Sequence, residues 1–256
     1  MFAKKSLGQN FLMHQRIADR IADSAHLTPT TTVLEIGPGT GMLTRSLLER
    51  AGKVVAVEAD ASLIPGLQET FADAIAKREL VLVSGDIRTF DLGTVPSPYT
   101  VVANIPYYIT GEIIRTLLSA TKKPQQVTLL VQKEVAIRIA REKKESILSL
   151  SVKVYGMPHY EFTVPRGAFH PAPNVDSAVL SISDITSPFA SMVEEKRFFD
   201  IVHAAFAHKR KRLAKNLEEV ASTGSIKEAF QALSLDENVR AEDISIETWK
   251  ELATRI

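Results

Sequence analysis

From residue 33 onward the sequence keeps changing period, and that alternation limits the fold more than any other feature in it. Short β-branched runs, "TVLEI", "KVVAV", "LVLVS", "TVVA" and "QVTLLV", are separated by stretches with helical spacing: from about Met42 to Ala51, near Ser62 to Ala76, and from Gly111. Strands that are apolar along their whole length are buried on both faces, and strands alternating with helices form a parallel sheet covered on each side. The expectation is an α/β, Rossmann-like chain. After residue 145 the rhythm stops, and "LSLSVKVYG", "HYEFTV" and "DSAVLSIS" read as antiparallel strands closing one edge of the sheet. "SDITSPFASM" breaks the pattern, and "EEKRFFDIVHAAFAH", "KRLAKNLEEVA", "SIKEAFQAL" and "IETWKELATRI" then read as helices. Two domains follow: residues 1–187 with a mostly parallel sheet and an antiparallel edge, and residues 188–256 as a small all-α domain. Ahead of the sheet, Ile17, Ile21 and Ala25 recur every four residues, as on an amphipathic helix capping it.

Composition removes several classes of function. With no cysteine there is neither a disulfide nor a thiolate zinc site, and the six histidines lack ligand spacing, so no metal is expected. No run approaches the ~20 apolar residues that cross a bilayer, and the early lysines are followed by no apolar signal core. A cytoplasmic protein is expected, monomeric by default. The net charge of +1 averages over local bias: Lys209, Arg210, Lys211, Arg212 and Lys215 crowd into seven residues of "FAHKRKRLAK".

"VLEIGPGTGMLTRSL" is a strand, a glycine-rich turn and a helix in that order. Gly37, Gly39 and Gly41 allow close approach of backbone to a ligand. Dinucleotide binding would place the third glycine at position 42, which is Met42. The G-x-G-x-G spacing after Glu35 instead suits a nucleoside-linked amino acid, of which S-adenosylmethionine is the commonest. Glu58 ends the next strand, where a carboxylate accepts from both ribose hydroxyls. Asp86 follows the third strand and can accept from an adenine amino group, with Ile87 covering the ring. An acid after a strand is more often a turn residue or helix cap. Three such positions at the carboxyl ends of consecutive strands, however, mark the crevice where open α/β sheets bind ligands.

The next strand ends in "NIPYYIT", at the same crevice. An exocyclic amino group on a base is a poor nucleophile because its lone pair is delocalised into the ring. The side-chain oxygen of Asn104 and the carbonyl of Ile105 can accept from that group and favour a pyramidal nitrogen, Pro106 stiffens the turn, and Tyr107 can stack on the base. Such a base is single-stranded or flipped out of its stack.

Taken in order, "KKSLGQNFL", "VLEIGPGTGMLT", "NIPYYIT", "VQKEVAIRIA", "AFHPAPNVDSAV", "AAFAHKRKRLAKNL" and "RAEDIS" resemble the KsgA-type ribosomal RNA adenine dimethyltransferases over nearly the whole chain. The resemblance implies a class I S-adenosylmethionine-dependent fold, with Asn10 and Leu12, and Gln9 in the same segment, joining the cofactor site. It implies dimethylation of two adjacent adenosines at N6, in a hairpin loop near the end of small-subunit rRNA, with the small ribosomal subunit as partner. Phe169 matches an aromatic that sandwiches the base against Tyr107; without the resemblance it reads as a core Phe. The basic cluster is then an RNA-binding surface, extended by Lys4, Lys5, Lys122, Lys123, Lys143 and Lys144, although the loop at 141–147 is charged where the family carries glycine. The alternatives are a large-subunit rRNA enzyme of the resistance type and a non-catalytic assembly or nucleic-acid-binding factor.

Overall fold

The structure, a computed structural model, describes Lys4 and residues 8–256, so Lys5 and the start of the "KKSLGQNFL" motif lie outside the described residues. The elements run β1 (Phe11–Leu12), α1 (Gln15–Asp23), β2 (Thr32–Ile36), α2 (Met42–Leu48), β3 (Lys53–Glu58), α3 (Ile64–Thr70), α4 (Ala72–Ala76), β4 (Leu80–Ser84), β5 (Tyr99–Asn104), α5 (Thr110–Ser119), β6 (Gln126–Gln132) and α6 (Lys133–Ala140). They continue α7 (Ile147–Lys153), β7 (Met157–Val164), β8 (Phe169–His170), β9 (Ser177–Ser183), α8 (Met192–Phe206), α9 (Leu213–Leu217), α10 (Thr223–Ala232) and α11 (Ile246–Arg255).

One compact unit comprises Met1–Ile137 with Met157–Ile185. Its sheet has seven strands in the order β4-β3-β2-β5-β6-β9-β7. β2 to β6 are parallel neighbours, as fully buried runs such as Val33–Ile36 and Tyr99–Ala103 require. β9 and β7 are antiparallel, and β7 alternates exposed with half-buried residues, as a strand solvated on one face does. The guanidinium of Arg20 on α1 lies 3.8 Å from the centre of the Phe162 ring. The helix expected near 62–76 is two, α3 and α4, broken at Phe71. A Cβ on Gly41 would fall 2.5 Å from that ring, and Gly41 has φ +82, so the third glycine seats α2 under Phe71.

The second unit comprises Arg138–Gly156 with Thr186–Ile256. Residues 138–156 thus group with the helices and not with the sheet strands on either side of them in the chain. The reason is that "LSLSVKVYG" is not a strand. Ser146 and Ser149 close a reciprocal cap at the start of α7, and the serines that gave the sequence its period of two are satisfied inside the helix. Ser149 Oγ donates to Glu145 Oε2 at 2.7 Å and Ser151 Oγ to the Ile147 carbonyl at 2.7 Å. Local capping thus overrides a strand-like alternation. Trp249 of α11 is fully buried and stacks on Phe206 of α8, with centroids 5.9 Å apart.

Candidate functional site

The chain runs outward from β2 to β3 and β4, then returns to lay β5 on the other side of β2, so the order of the sheet reverses between β2 and β5. Carboxyl-end loops diverge at such a point and leave a crevice. Gly37 and Gly39 line it from the β2 loop, Glu58 from β3, Asp86 and Ile87 from beyond β4, and Asn104, Pro106 and Tyr107 from β5. Gln9, Asn10 and Leu12 line it from the segment ahead of the sheet.

Three residues expected in the cofactor or catalytic site do not line it. Glu35 is 1% exposed and lies within β2, where Thr44 Oγ1 donates to its Oε2 at 2.7 Å. Gly41 has the packing role described above. Phe169 is 4% exposed, sits in the main hydrophobic core and pairs with Leu12 across β8 and β1. Its backbone pairing fastens the N-terminal segment to β8.

The carboxylates that remain are differently prepared. Glu58, 5% exposed, accepts from the Gly39 N–H at 3.0 Å and the Asp60 N–H at 2.8 Å, one on each oxygen. It therefore shapes the glycine loop and keeps a further lone pair on each oxygen for a diol. Burial pushes its pKa up, opposed by those backbone bonds. Asp86 is held by Arg88, with Nη2 2.5 Å from Oδ2, Nε 3.0 Å from each oxygen and the backbone N–H 2.9 Å from Oδ1. The side-chain bonds to Arg88 lead in keeping it below the usual carboxylate range. A carboxylate has about four acceptor positions and these contacts engage all four, so a further donor would have to displace one of them.

The N-terminal segment is tied down by a second acid that the sequence reading passed over. Burial alone would raise the pKa of Asp60, but hydrogen bonds from Lys4, Ser62 and Gln9 outweigh it and hold the group well below its ordinary value. Lys4 Nζ lies 2.7 Å from Asp60 Oδ1 and Gln9 Nε2 3.0 Å from Oδ2. Gln9 thus lines the crevice while its amide grips the protein. This tether brings the Asn10 carbonyl to 3.1 Å from Asn104 Nδ2. One N–H of the Asn104 amide is thereby engaged, and its oxygen and second N–H are left for a ligand. Phe11, Arg88 and Tyr108 also line the crevice without having been singled out as site residues, Tyr108 with 63% exposure. Only the D-x-R spacing in "GDIRT" could have signalled Arg88.

The crevice fits the cofactor that the glycine loop implies. A Cβ on Gly37 (φ +69) would meet nothing nearer than the Asn104 carbonyl, 3.7 Å away, so bare backbone faces open space. Around it stand the carboxylates of Glu58 and Asp86 and the apolar side chains of Leu12 and Ile87.

The basic cluster belongs to the second unit. Lys209, Arg210, Lys211 and Arg212 are exposed in the turn between α8 and α9 and not on a helix; Lys215, on α9, pairs with Glu218 at 2.5 Å. Buried Asn216 fixes that turn, its Nδ2 donating to the carbonyls of Ala205 at 2.6 Å and His208 at 3.2 Å. Most of the lysines expected to extend the surface are engaged within the fold: Lys4 with Asp60, Lys122 with the Gly93 carbonyl, Lys123 with the Ala120 carbonyl and Lys144 with Glu242.

The sequence model of a family described as ribosomal RNA adenine dimethylase matches residues 2–256. Ribosomal RNA small subunit methyltransferase A of Dehalococcoides mccartyi is 40% identical over 98% of this chain and 87% of its own length. The protein of that name from Fusobacterium nucleatum is 40% identical over 97% of this chain and 96% of its own. Among solved structures, the 23S rRNA methyltransferase ErmE is 27% identical with a TM-score of 0.78, over 96% of this chain and 99% of that one. A dimethyladenosine transferase from Plasmodium falciparum shares the fold, with a TM-score of 0.79 at 23% identity over 94% and 95% of the two chains.

Glu35 offers a test of how the glycine loop is supported. Burial is the main cause that lifts its pKa from 4.5 to about 8, with the Thr44 bond opposing and Glu58 adding to the rise. A carboxyl raised on folding contributes fully below its unfolded pKa and loses that contribution as pH climbs to its folded value. Its share of stability should fall between pH 4.5 and about 8, by on the order of 4 kcal/mol. Glu35→Gln keeps an acceptor for Thr44 without the charge. Urea unfolding at pH 5 and pH 8 should show a decline in the wild type that the variant largely removes, and an equal decline in both would contradict the assignment.

Proposed function

The chain belongs to the ribosomal RNA adenine dimethylase family, and we propose that it methylates N6 of two adjacent adenosines in the 3′-terminal hairpin loop of small-subunit rRNA during ribosome biogenesis. S-adenosylmethionine, when bound, supplies an electrophilic methyl group on a sulfonium sulfur. The observation that carries the reading is the orientation of Asn104, whose Nδ2 is fastened to the Asn10 carbonyl and whose Oδ1 is left at the sheet's switch point beside Pro106 and Tyr107.

In this reading Asn104 Oδ1 and the Ile105 carbonyl accept from the adenine amino group and turn its lone pair toward the methyl. Pro106 holds the turn and Tyr107 stacks on the base. Gly37 and Gly39, with Asn10 and Leu12, receive the amino-acid end of the cofactor, Glu58 its ribose, and Asp86 with Ile87 its adenine. No strong general base is needed, because the methylated nitrogen loses its proton easily afterwards. Catalysis rests on alignment, which can reach effective molarities of about 10⁵ M or more.

The target follows the relatives. Proteins named for the small subunit are 40% identical over nearly the full chain, against 27% for the 23S enzyme, which favours the small subunit. An intact Asn104-Ile105-Pro106-Tyr107 turn argues against a purely binding role. We place the protein in the cytoplasm, where small subunits mature. We take the monomer as its working state.

Two outcomes follow. Asn104→Ala should retain cofactor affinity within a few-fold, by calorimetry with S-adenosylhomocysteine, while methyl transfer falls below detection; equal losses would make Asn104 chiefly a cofactor ligand. Reversing the charges of Lys209 to Arg212 should weaken RNA binding and flatten its dependence on salt. An unchanged slope of log affinity against log salt would return the cluster to ordinary solvated surface.

A further inference from the structure

One buried hydroxyl touches the crevice machinery without lining the crevice. Ser177 Oγ lies 2.6 Å from Tyr107 Oη, across 70 positions of chain. Ser177 is fully buried, and its backbone is paired on both sides, with Gln132 of β6 and Val164 of β7. Tyr107, by contrast, opens a single 3₁₀ turn between β5 and α5, and no other side-chain hydrogen bond to it is present among the described residues.

We propose that Ser177 is a positioning residue for methyl transfer, locking the plane of the Tyr107 ring against which the target base lies. The chemistry of the phenol makes this possible. Its hydroxyl conjugates with the ring, so both O–H and the in-plane lone pair direct a hydrogen bond along the ring plane. Pro106 limits the backbone at one end of the residue and Ser177 holds the oxygen at the other, so the ring loses its freedom to tilt or rotate. Burial keeps the phenol neutral by raising its pKa, partly offset by the bond to Ser177. The antiparallel strand β9 thereby acquires a role at the crevice: it is the rigid rail on which the stacking ring is mounted.

This inference rests on the proposed use of Tyr107 as a base platform, and two arms separate the claims. Ser177→Ala and Tyr107→Phe remove the same bond from opposite ends, and the second keeps the ring. Each should lower kcat for small-subunit methylation by about ten- to a hundredfold, the order associated with small misplacements. KM for the cofactor should not change, Ser177→Thr should recover most of the rate, and the double variant should be no slower than either single one. Full activity in Tyr107→Phe, or losses that multiply in the double variant, would overturn the proposal. The second arm needs no activity. Crystal structures of the wild type and Ser177→Ala should show one ring orientation in the first and a rotated or multiple one in the second, and an unmoved, equally ordered ring would overturn it. An inactive wild type with a Ser177-dependent ring would refute the proposed function alone.

Discussion

The reversal of strand order between β2 and β5 is the constraint on which the rest depends. It brings residue 37 and residue 104 together at adjacent carboxyl ends, within 3.7 Å as judged from a Cβ on Gly37, though 67 positions separate them. The glycine loop and the Asn-Ile-Pro-Tyr turn are independent local structures, and neither alone defines a reaction. Placed on either side of a switch point, one is suited to receive a cofactor and the other to present a nucleophile to it.

Electrostatics then sets the shape of the loop. Glu58 takes a backbone N–H from the glycine turn and another from the next loop, so a carboxylate assigned to ligand binding also builds the site it serves. Beneath the loop, Glu35 is buried with Thr44 as its hydrogen-bond partner and one oxygen without any. Such a group is costly in charged form and is held neutral until mildly alkaline pH. Asp60 is the opposite case: three side chains keep it ionised, and through it the N-terminal segment is drawn over the crevice far enough for Asn10 to orient Asn104.

What was legible in the sequence was what periodicity and local chemistry determine. The buried parallel strands, the glycine turn, and Glu58, Asp86 and Asn104 at strand ends follow from patterns that repeat along the chain. Errors arose where tertiary context decided. Alternating serines in "LSLSVKVYG" looked like a strand because their hydrogen bonds inside α7 are invisible in one dimension. Glu35 and Gly41 sit in the same motif as Gly37 and Gly39, yet motif membership does not say which residues face the ligand and which face Phe71 or Thr44. Ser177 carried no signal at all, since its significance lies in a contact with a residue 70 positions away.

The proposed activity is dimethylation of adenosine in the small subunit by this crevice. Labelled S-adenosylmethionine, incubated with the protein and unmethylated small ribosomal subunits, with naked large-subunit rRNA alongside, tests it most directly when followed by nucleoside mass spectrometry. Dimethyladenosine in the small subunit and none in the large-subunit RNA is the predicted result. Label in the large-subunit RNA instead, or tight binding of small subunits with no methylation, would contradict it.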